Sequence, residues 1–87
     1  MNDATETPPA AQPAASLDAR GLLCPLPVLK ARKRLQPLPD GAVLEALTDD
    51  PAAVVDIPHF CVEQGHAVLL EAPLEGGGRR WRIRKGG

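Results

Sequence analysis

Turn-forming residues set the length of everything this chain can build. Arg20-Gly21, Pro37-Leu38-Pro39-Asp40-Gly41, Asp49-Asp50-Pro51, Gly65 and Glu75-Gly76-Gly77-Gly78 divide the sequence into short segments. Glycine supplies positive φ and proline a fixed φ, so each cluster forces a change of direction. The segments between them fit single strands or helices of a few turns, and none holds the roughly 18 apolar residues of a membrane span. At 87 residues there is room for one small domain. A domain of that size has a thin core.

Residues 1–15 (MNDATETPPAAQPAA) contain no Lys or Arg and no apolar stretch, which excludes a secretory signal. Rich in Ala, Pro and Thr, they cannot offset their ordering entropy and are expected to form a disordered tail. The domain is then expected to span 16–87.

Ser16–Ala19 is expected to be a short strand, followed by a turn at Arg20-Gly21. A helix should open with Cys24 as its N-cap and Pro25 at the first helical position, where a missing N–H costs nothing. Val28, Ala31 and Leu35 recur on one helical face, with Lys30, Arg32, Lys33 and Arg34 mostly off it. Ala42–Thr48 is a largely apolar strand, and Asp49-Asp50-Pro51 reads as a helix start. Pro58 predicts a break near Asp56 in the helical stretch 51–64, which Gly65 should stop. Ala67–Ala72 and Arg79–Lys85 are expected to form a hairpin about the glycine run. In its second arm, Trp81 and Ile83 alternate with Arg80, Arg82 and Arg84. The order β-α-β-α-β-β implies an α/β (α+β) fold, a four-stranded mixed sheet with two helices on one face.

The net charge is −1, but its distribution is uneven. Arg20, Lys30, Arg32, Lys33 and Arg34 have no acid between them, nor do Arg79, Arg80, Arg82, Arg84 and Lys85, while residues 36–75 hold acids alone as their charged groups. Docking on an acidic protein and binding of RNA are both compatible with two basic blocks. RNA recognition uses exposed aromatic platforms. The chain has no Tyr, and Phe60 and Trp81 are both assigned to the core, so protein docking ranks above direct RNA binding. As a plain structural alternative, the arginines would protect an edge strand from aggregation.

Cys24 and Cys61 are too few for a disulfide scaffold and have no close Cys partner for zinc. Without an export signal they are read as reduced thiols in the cytoplasm. Cys24, in Cys24-Pro25-Leu26-Pro27, would face the positive end of a helix dipole, which favours thiolate over thiol. Leu26 and Val28 would supply the nearest N–H groups, and Arg20 is a further candidate cation. Pro27 stands where a Cys-x-x-Cys motif has its second cysteine, which disfavours dithiol chemistry and favours a cysteine that holds cargo. A capping cysteine without chemistry is the alternative. Cys61, between Phe60 and Val62, reads as core. Of His59, Cys61 and His66, the cysteine falls off the face shared by His59, Glu63 and His66, so no metal site is expected.

Leu17-Asp18-Ala19-x-Gly21-Leu22-x-Cys24-Pro25-x-Pro27 resembles the signature of the TusA/SirA family of sulfur carriers. The likeness continues through Asp49-Asp50-Pro51-Ala52, Asp56-Ile57-Pro58-x-Phe60-Cys61 and Ile83-Arg84-Lys85-Gly86-Gly87. The resemblance implies a two-layer sandwich in which Cys24 carries a persulfide, with Pro25, Leu26 and Pro27 shaping the helix start. It also implies a cysteine desulfurase or rhodanese-like donor and a downstream acceptor protein. The clients of such carriers lie in tRNA thiolation, molybdenum-cofactor maturation or sulfur oxidation. Leu23 and Leu26 depart from the Arg and Glu that several relatives place beside the cysteine, which bears on partner identity. The expected protein is thus a cytoplasmic persulfide relay, monomeric when free, with no metal or organic cofactor and with Arg20, Arg80, Arg82 and Arg84 as docking residues. Two alternatives stand beside it: a basic-faced RNA- or protein-binding module, and a carrier that uses a Gly86-Gly87 thiocarboxylate.

Overall fold

In the computed structural model, which describes residues 12–86, the elements run β1 (Pro13–Asp18), α1 (Leu26–Leu35), β2 (Val43–Thr48), α2 (Ala53–Gln64), β3 (Ala67–Pro73) and β4 (Arg79–Arg84). The order β-α-β-α-β-β is as the turn residues imply. The sheet order is β1-β2-β4-β3, with β1 parallel to β2 and the other pairs antiparallel.

Alternation along the strands assigns the two faces. Leu17, Leu44, Ala46, Trp81 and Ile83 share one buried cluster with Ala31 and Leu35 of α1 and with Ala53, Ile57, Phe60 and Cys61 of α2. Both helices therefore cover the same side of the sheet. Trp81, fully buried, donates its indole N–H to Thr48 Oγ1 at 2.9 Å, which satisfies the buried polar atoms of both residues. On the opposite side, Glu45 lies between Arg80 and Arg82, at 3.4 and 3.3 Å.

The structure corrects several boundaries. β1 begins at Pro13, within the stretch expected to be tail, because Pro13 and Ala15 pair with Val43 and Leu44 of β2 and Ala15 packs on the core. Small side chains suffice there, since the partner strand supplies the bulk. Residues 1–11 of the expected tail lie outside the described residues. Helix α1 starts at Leu26, with Pro25 as its N-cap residue and Pro27 inside its first turn.

Helix α2 shows no break near Asp56 and runs unbroken across Pro58. Proline costs a helix interior about 3 kcal/mol, whereas each large apolar side chain fully buried contributes about 1.5–3 kcal/mol. Ile57, Phe60 and Cys61 are all buried only if the helix continues. The carbonyl that loses its donor belongs to Val54, whose side chain is exposed, so it sits on the wet side of the helix. Gly65 ends α2 at φ 78°, and the His66 N–H closes on the Cys61 carbonyl at 2.8 Å.

The arginine-rich strand β4 is an interior strand, hydrogen-bonded on both sides. Its arginines therefore cannot serve as edge protection, and the edges belong to β1 and β3. This arrangement follows from the parallel β1–β2 pair. β2 has β1 on one side, so its other side is open to the last strand.

Candidate functional site

Cys24 is exposed where the loop from β1 enters α1. The adjoining β2–α2 loop holds that segment in place. Asp49 Oδ1 accepts the Gly21 N–H at 2.9 Å, and Asp50 Oδ2 accepts the Cys24 N–H at 2.7 Å. The other oxygen of Asp50 accepts the Ala52 N–H at 3.1 Å, in the turn that leads into α2. Neither acid caps α2, contrary to what their spacing implies: the N-cap is Ala52, and no side chain bonds the first helical turn. Asp50 closes the turn ahead of the helix, and both acids fasten the cysteine loop to it. Leu23, flanking the cysteine, is 69% exposed, and Leu26 is exposed as well.

An open groove of about 370 Å³ runs from Cys24 and Pro25 between α1 and α2. Val28, Leu29 and Arg32 form its α1 wall, and Asp56, His59, Phe60 and Glu63 are on its α2 wall. His59 Nε2 lies 3.2 Å from Glu63 Oε2. His66, expected on the same face, lies beyond the end of α2 and accepts the Gly86 N–H on Nδ1 at 3.0 Å.

The thiol's electrostatics overturn the expectation of a depressed pKa. The Cys24 pKa is raised, first by its hydrogen bond to the Asp56 carboxylate, then by desolvation and by the charges of Asp56 and Asp50. The physical reason is local. Pro25 and Pro27 offer no N–H, and the Leu26 N–H is already given to the Leu23 carbonyl at 2.9 Å. With those donors removed, the acids of the neighbouring elements dominate. Arg20 does not counter them, because its guanidinium grips Asp18 through Nε at 2.9 Å and Nη2 at 2.8 Å. That contact holds the Asp18 carboxyl down at about 2.

Cys61 is buried in α2, and burial alone pushes its thiol up to about 11. Arg80, Arg82 and Arg84 of β4 lie on the sheet face away from the helices and do not line the groove. The structure therefore brings Cys24, Pro25 and the two aspartate-bearing elements together, and leaves the arginine stripe apart. Asp56 is the residue that sequence reasoning missed. The signal was present in the spacing of Asp56, His59 and Glu63, which share a face once α2 is continuous.

The model of the family described as Sulfurtransferase TusA matches residues 15–85. The chain belongs to the TusA family. The sulfur carrier protein TusA of Pseudomonas syringae pv. syringae (strain B728a) is 44% identical over 71 residues, covering 82% of this chain and 83% of that protein. The sulfur carrier protein TusA of Allochromatium vinosum is 42% identical over 69 residues, covering 79% and 90%. A SirA-like protein from Desulfitobacterium hafniense has the same fold, with a TM-score of 0.74 at 24% identity over 84% of this chain and 99% of that one. Among the described residues of this TusA-family chain, no helix is long and apolar enough to cross a membrane, and no three His, Cys, Asp or Glu side chains cluster as metal ligands.

Proposed function

We propose that this TusA-family chain is a persulfide carrier that loads sulfane sulfur on Cys24 and yields it to the thiol of an acceptor protein. The observation that carries this reading is the unequal placement of the two cysteines. Cys24 is exposed at the mouth of a groove, and Cys61, the other cysteine of the chain, is buried in α2. A sulfur held on Cys24 thus has no exposed thiol of the same chain to discharge it as a disulfide, and it waits for a partner. The donor would be a cysteine desulfurase or a rhodanese-like protein. The exposed Leu23 and Leu26 beside the cysteine, with Arg20 at the same loop, would contact donor or acceptor, while Arg80, Arg82 and Arg84 on the far face of the sheet would serve only a separate docking contact. The chemistry needs no metal or organic cofactor, and the protein would act in the cytoplasm as a stoichiometric relay.

A carrier using a C-terminal thiocarboxylate requires a slim, mobile tail. Here Lys85 Nζ donates to the carbonyls of Gln36 and Leu38 at 2.9 and 2.7 Å. The Gly86 N–H is held by His66, and a Cβ at position 86 would collide with the Gly65 carbonyl. Glycine at 86 thus answers a packing demand, which favours the cysteine as the site. Gly87 lies outside the described residues.

The test is direct loading. Incubation with a cysteine desulfurase and cysteine should add one reducible sulfur to the wild type and to Cys61→Ala, and none to Cys24→Ser. Deleting Gly86 and Gly87 should leave loading largely intact. Sulfur acceptance that survives loss of Cys24 would overturn the reading.

A further inference from the structure

We propose that the polar hollow at the far end of the groove binds a carboxylate of the protein that exchanges sulfur with Cys24. The occupant of the groove is an extended segment of that protein, with its cysteine at Cys24 and an acidic side chain at Arg32. This inference rests on the persulfide-carrier reading of Cys24.

The groove that opens at Cys24 continues into a second hollow of about 240 Å³, and the two have Arg32, Phe60 and Gln64 in common. His66, Lys85 and Gly86 add to the wall of the second hollow, and no Asp or Glu among the described residues lines it. Its cations are not spent on acids. Arg32 makes no ion pair with the described residues. Lys85 Nζ donates to the carbonyls of Gln36 and Leu38, neither of which carries a charge. His66 accepts the Gly86 N–H on Nδ1 at 3.0 Å, so its Nε2 is a donor in either protonation state. Desolvation and the charge of Lys85 hold its pKa below the ordinary value, a mark of the cationic field in this hollow. A concave, polar site with two uncompensated cations calls for an anion, and the planar fork of an arginine matches a carboxylate.

The dimensions favour a segment of protein as the source of that anion. At a rise of about 1.5 Å per residue, Arg32 stands about 9 Å along α1 from Leu26. Cys24 precedes Leu26 by two positions. An extended chain advances about 3.3 Å per residue, so about three to four residues bridge the sulfur and the guanidinium. Val28, Leu29 and Phe60 line the stretch between and offer apolar contact to the side chains of such a segment. The groove is open along its length, whereas a small molecule is ordinarily enclosed by its pocket. Of the acids on the α2 wall, Glu63 is turned to His59 at 3.2 Å, and Asp56 faces the Cys24 end. The groove is therefore acidic at its mouth and cationic at its far end, so an acidic side chain of the partner fits at one end and not at the other.

Disulfide capture on the full chain tests this. Short peptides with one cysteine, activated as its mixed disulfide with thionitrobenzoate, are offered to Cys24. The Cys24 sulfur attacks the peptide sulfur and the Cys24–peptide disulfide forms. Thionitrobenzoate leaves with the bonding electron pair, its absorbance gives the rate, and the Cys24 proton passes to buffer. The peptides place a glutamate four positions before or after the cysteine, place it next to the cysteine, or carry glutamine instead. In at least one chain direction the spaced glutamate should quicken capture about twofold to fivefold over glutamine, as for a solvent-screened ion pair. The adjacent glutamate should bring no gain.

Arg32→Gln should erase the preference and Arg32→Lys should keep part of it. Lys30→Gln should leave it whole, because Lys30 lines a different hollow with Leu17, Lys33 and Arg34. Equal capture of glutamate and glutamine peptides by the wild type, an equal gain from the adjacent glutamate, or a preference that survives Arg32→Gln overturns the proposal. Calorimetry with free glutathione should show no binding tighter than millimolar. Micromolar binding that Arg32→Gln removes would make a small anionic thiol the occupant and overturn the assignment to a protein segment. Failure of the carrier reading would look different: Cys24 would take no sulfur from a cysteine desulfurase, while the peptide preference would still stand or fall with Arg32.

Discussion

Cys24 and Cys61 carry the same side chain at opposite ends of the range of environments this small domain offers. Both thiols bind their proton more tightly than a free cysteine, for unrelated reasons. Cys61 is 1% exposed, and burial alone pushes its pKa up to about 11. Cys24 stands in the open, and its shift comes chiefly from a carboxylate on a neighbouring helix. Burial is a permanent condition of the fold, whereas a carboxylate at a surface groove can be neutralised by whatever docks there. The comparison shows that a raised pKa by itself does not separate an inert cysteine from a working one. The cause of the shift separates them, because only one of the two causes can be removed without unfolding.

The largest effect that tests this contrast is the labelling ratio. Under native conditions iodoacetamide should modify Cys24 at least about a hundredfold faster than Cys61, whose reaction waits for opening of α2. Mass spectrometry of peptides after timed quenching reads the ratio, and rates within tenfold would collapse the distinction.

Next comes the cost of polarity. Cys61→Ser places a hydroxyl among Ile57, Phe60 and Trp81, all members of the same buried cluster. That should remove about 1–3 kcal/mol of stability in urea titrations. A loss below about 0.5 kcal/mol would mean that position 61 is wetter than the structure shows.

An effect of similar size, spread over the pH window, is expected at alkaline pH. The Cys61 thiol ionises near 8.5 when unfolded and at about 11 when folded. Between those values the unfolded chain has released a proton that the folded chain retains, so stability falls as pH rises through the window. Thermal melts of wild type and Cys61→Ala between pH 8 and 11 should show a steeper decline for the wild type, and parallel curves would contradict the assignment. Smallest of all, Cys24→Ser at neutral pH should change stability by less than about 0.5 kcal/mol, since the exposed side chain packs little. A clear loss would give Cys24 a structural role that the contrast denies it.

Most of the fold was legible because the signals that specify it are local. Gly65, the glycine run and the proline-rich 37–41 turn end their elements whatever the rest of the chain does. The alternation of Trp81 and Ile83 with arginines marks a strand faithfully. Two features escaped because they depend on residues far apart in sequence. Pro58 reads as a break until the burial of Ile57, Phe60 and Cys61 is set against it. The arginines of β4 read as edge residues until the parallel pairing of β1 with β2 leaves β4 an interior place.

The candidate site divides in the same way. Cys24 and its prolines were evident from the sequence. The sign of its pKa shift was not, because the sequence displays the helix terminus and hides a carboxylate more than thirty positions away, on Asp56.

The interior place of β4 also has a consequence for how the protein is made. Translation delivers β1, β2 and β3 before β4, yet β4 is the strand that joins β2 to β3. Until Arg84 has left the ribosome, β2 has a bare edge and β3 has no neighbour in the sheet. The buried ring of Trp81 is likewise missing from the core for that whole interval. The nascent chain therefore passes through a stage in which strands capable of pairing with other chains stand exposed. Folding of the sheet is in effect withheld until β4 itself has emerged.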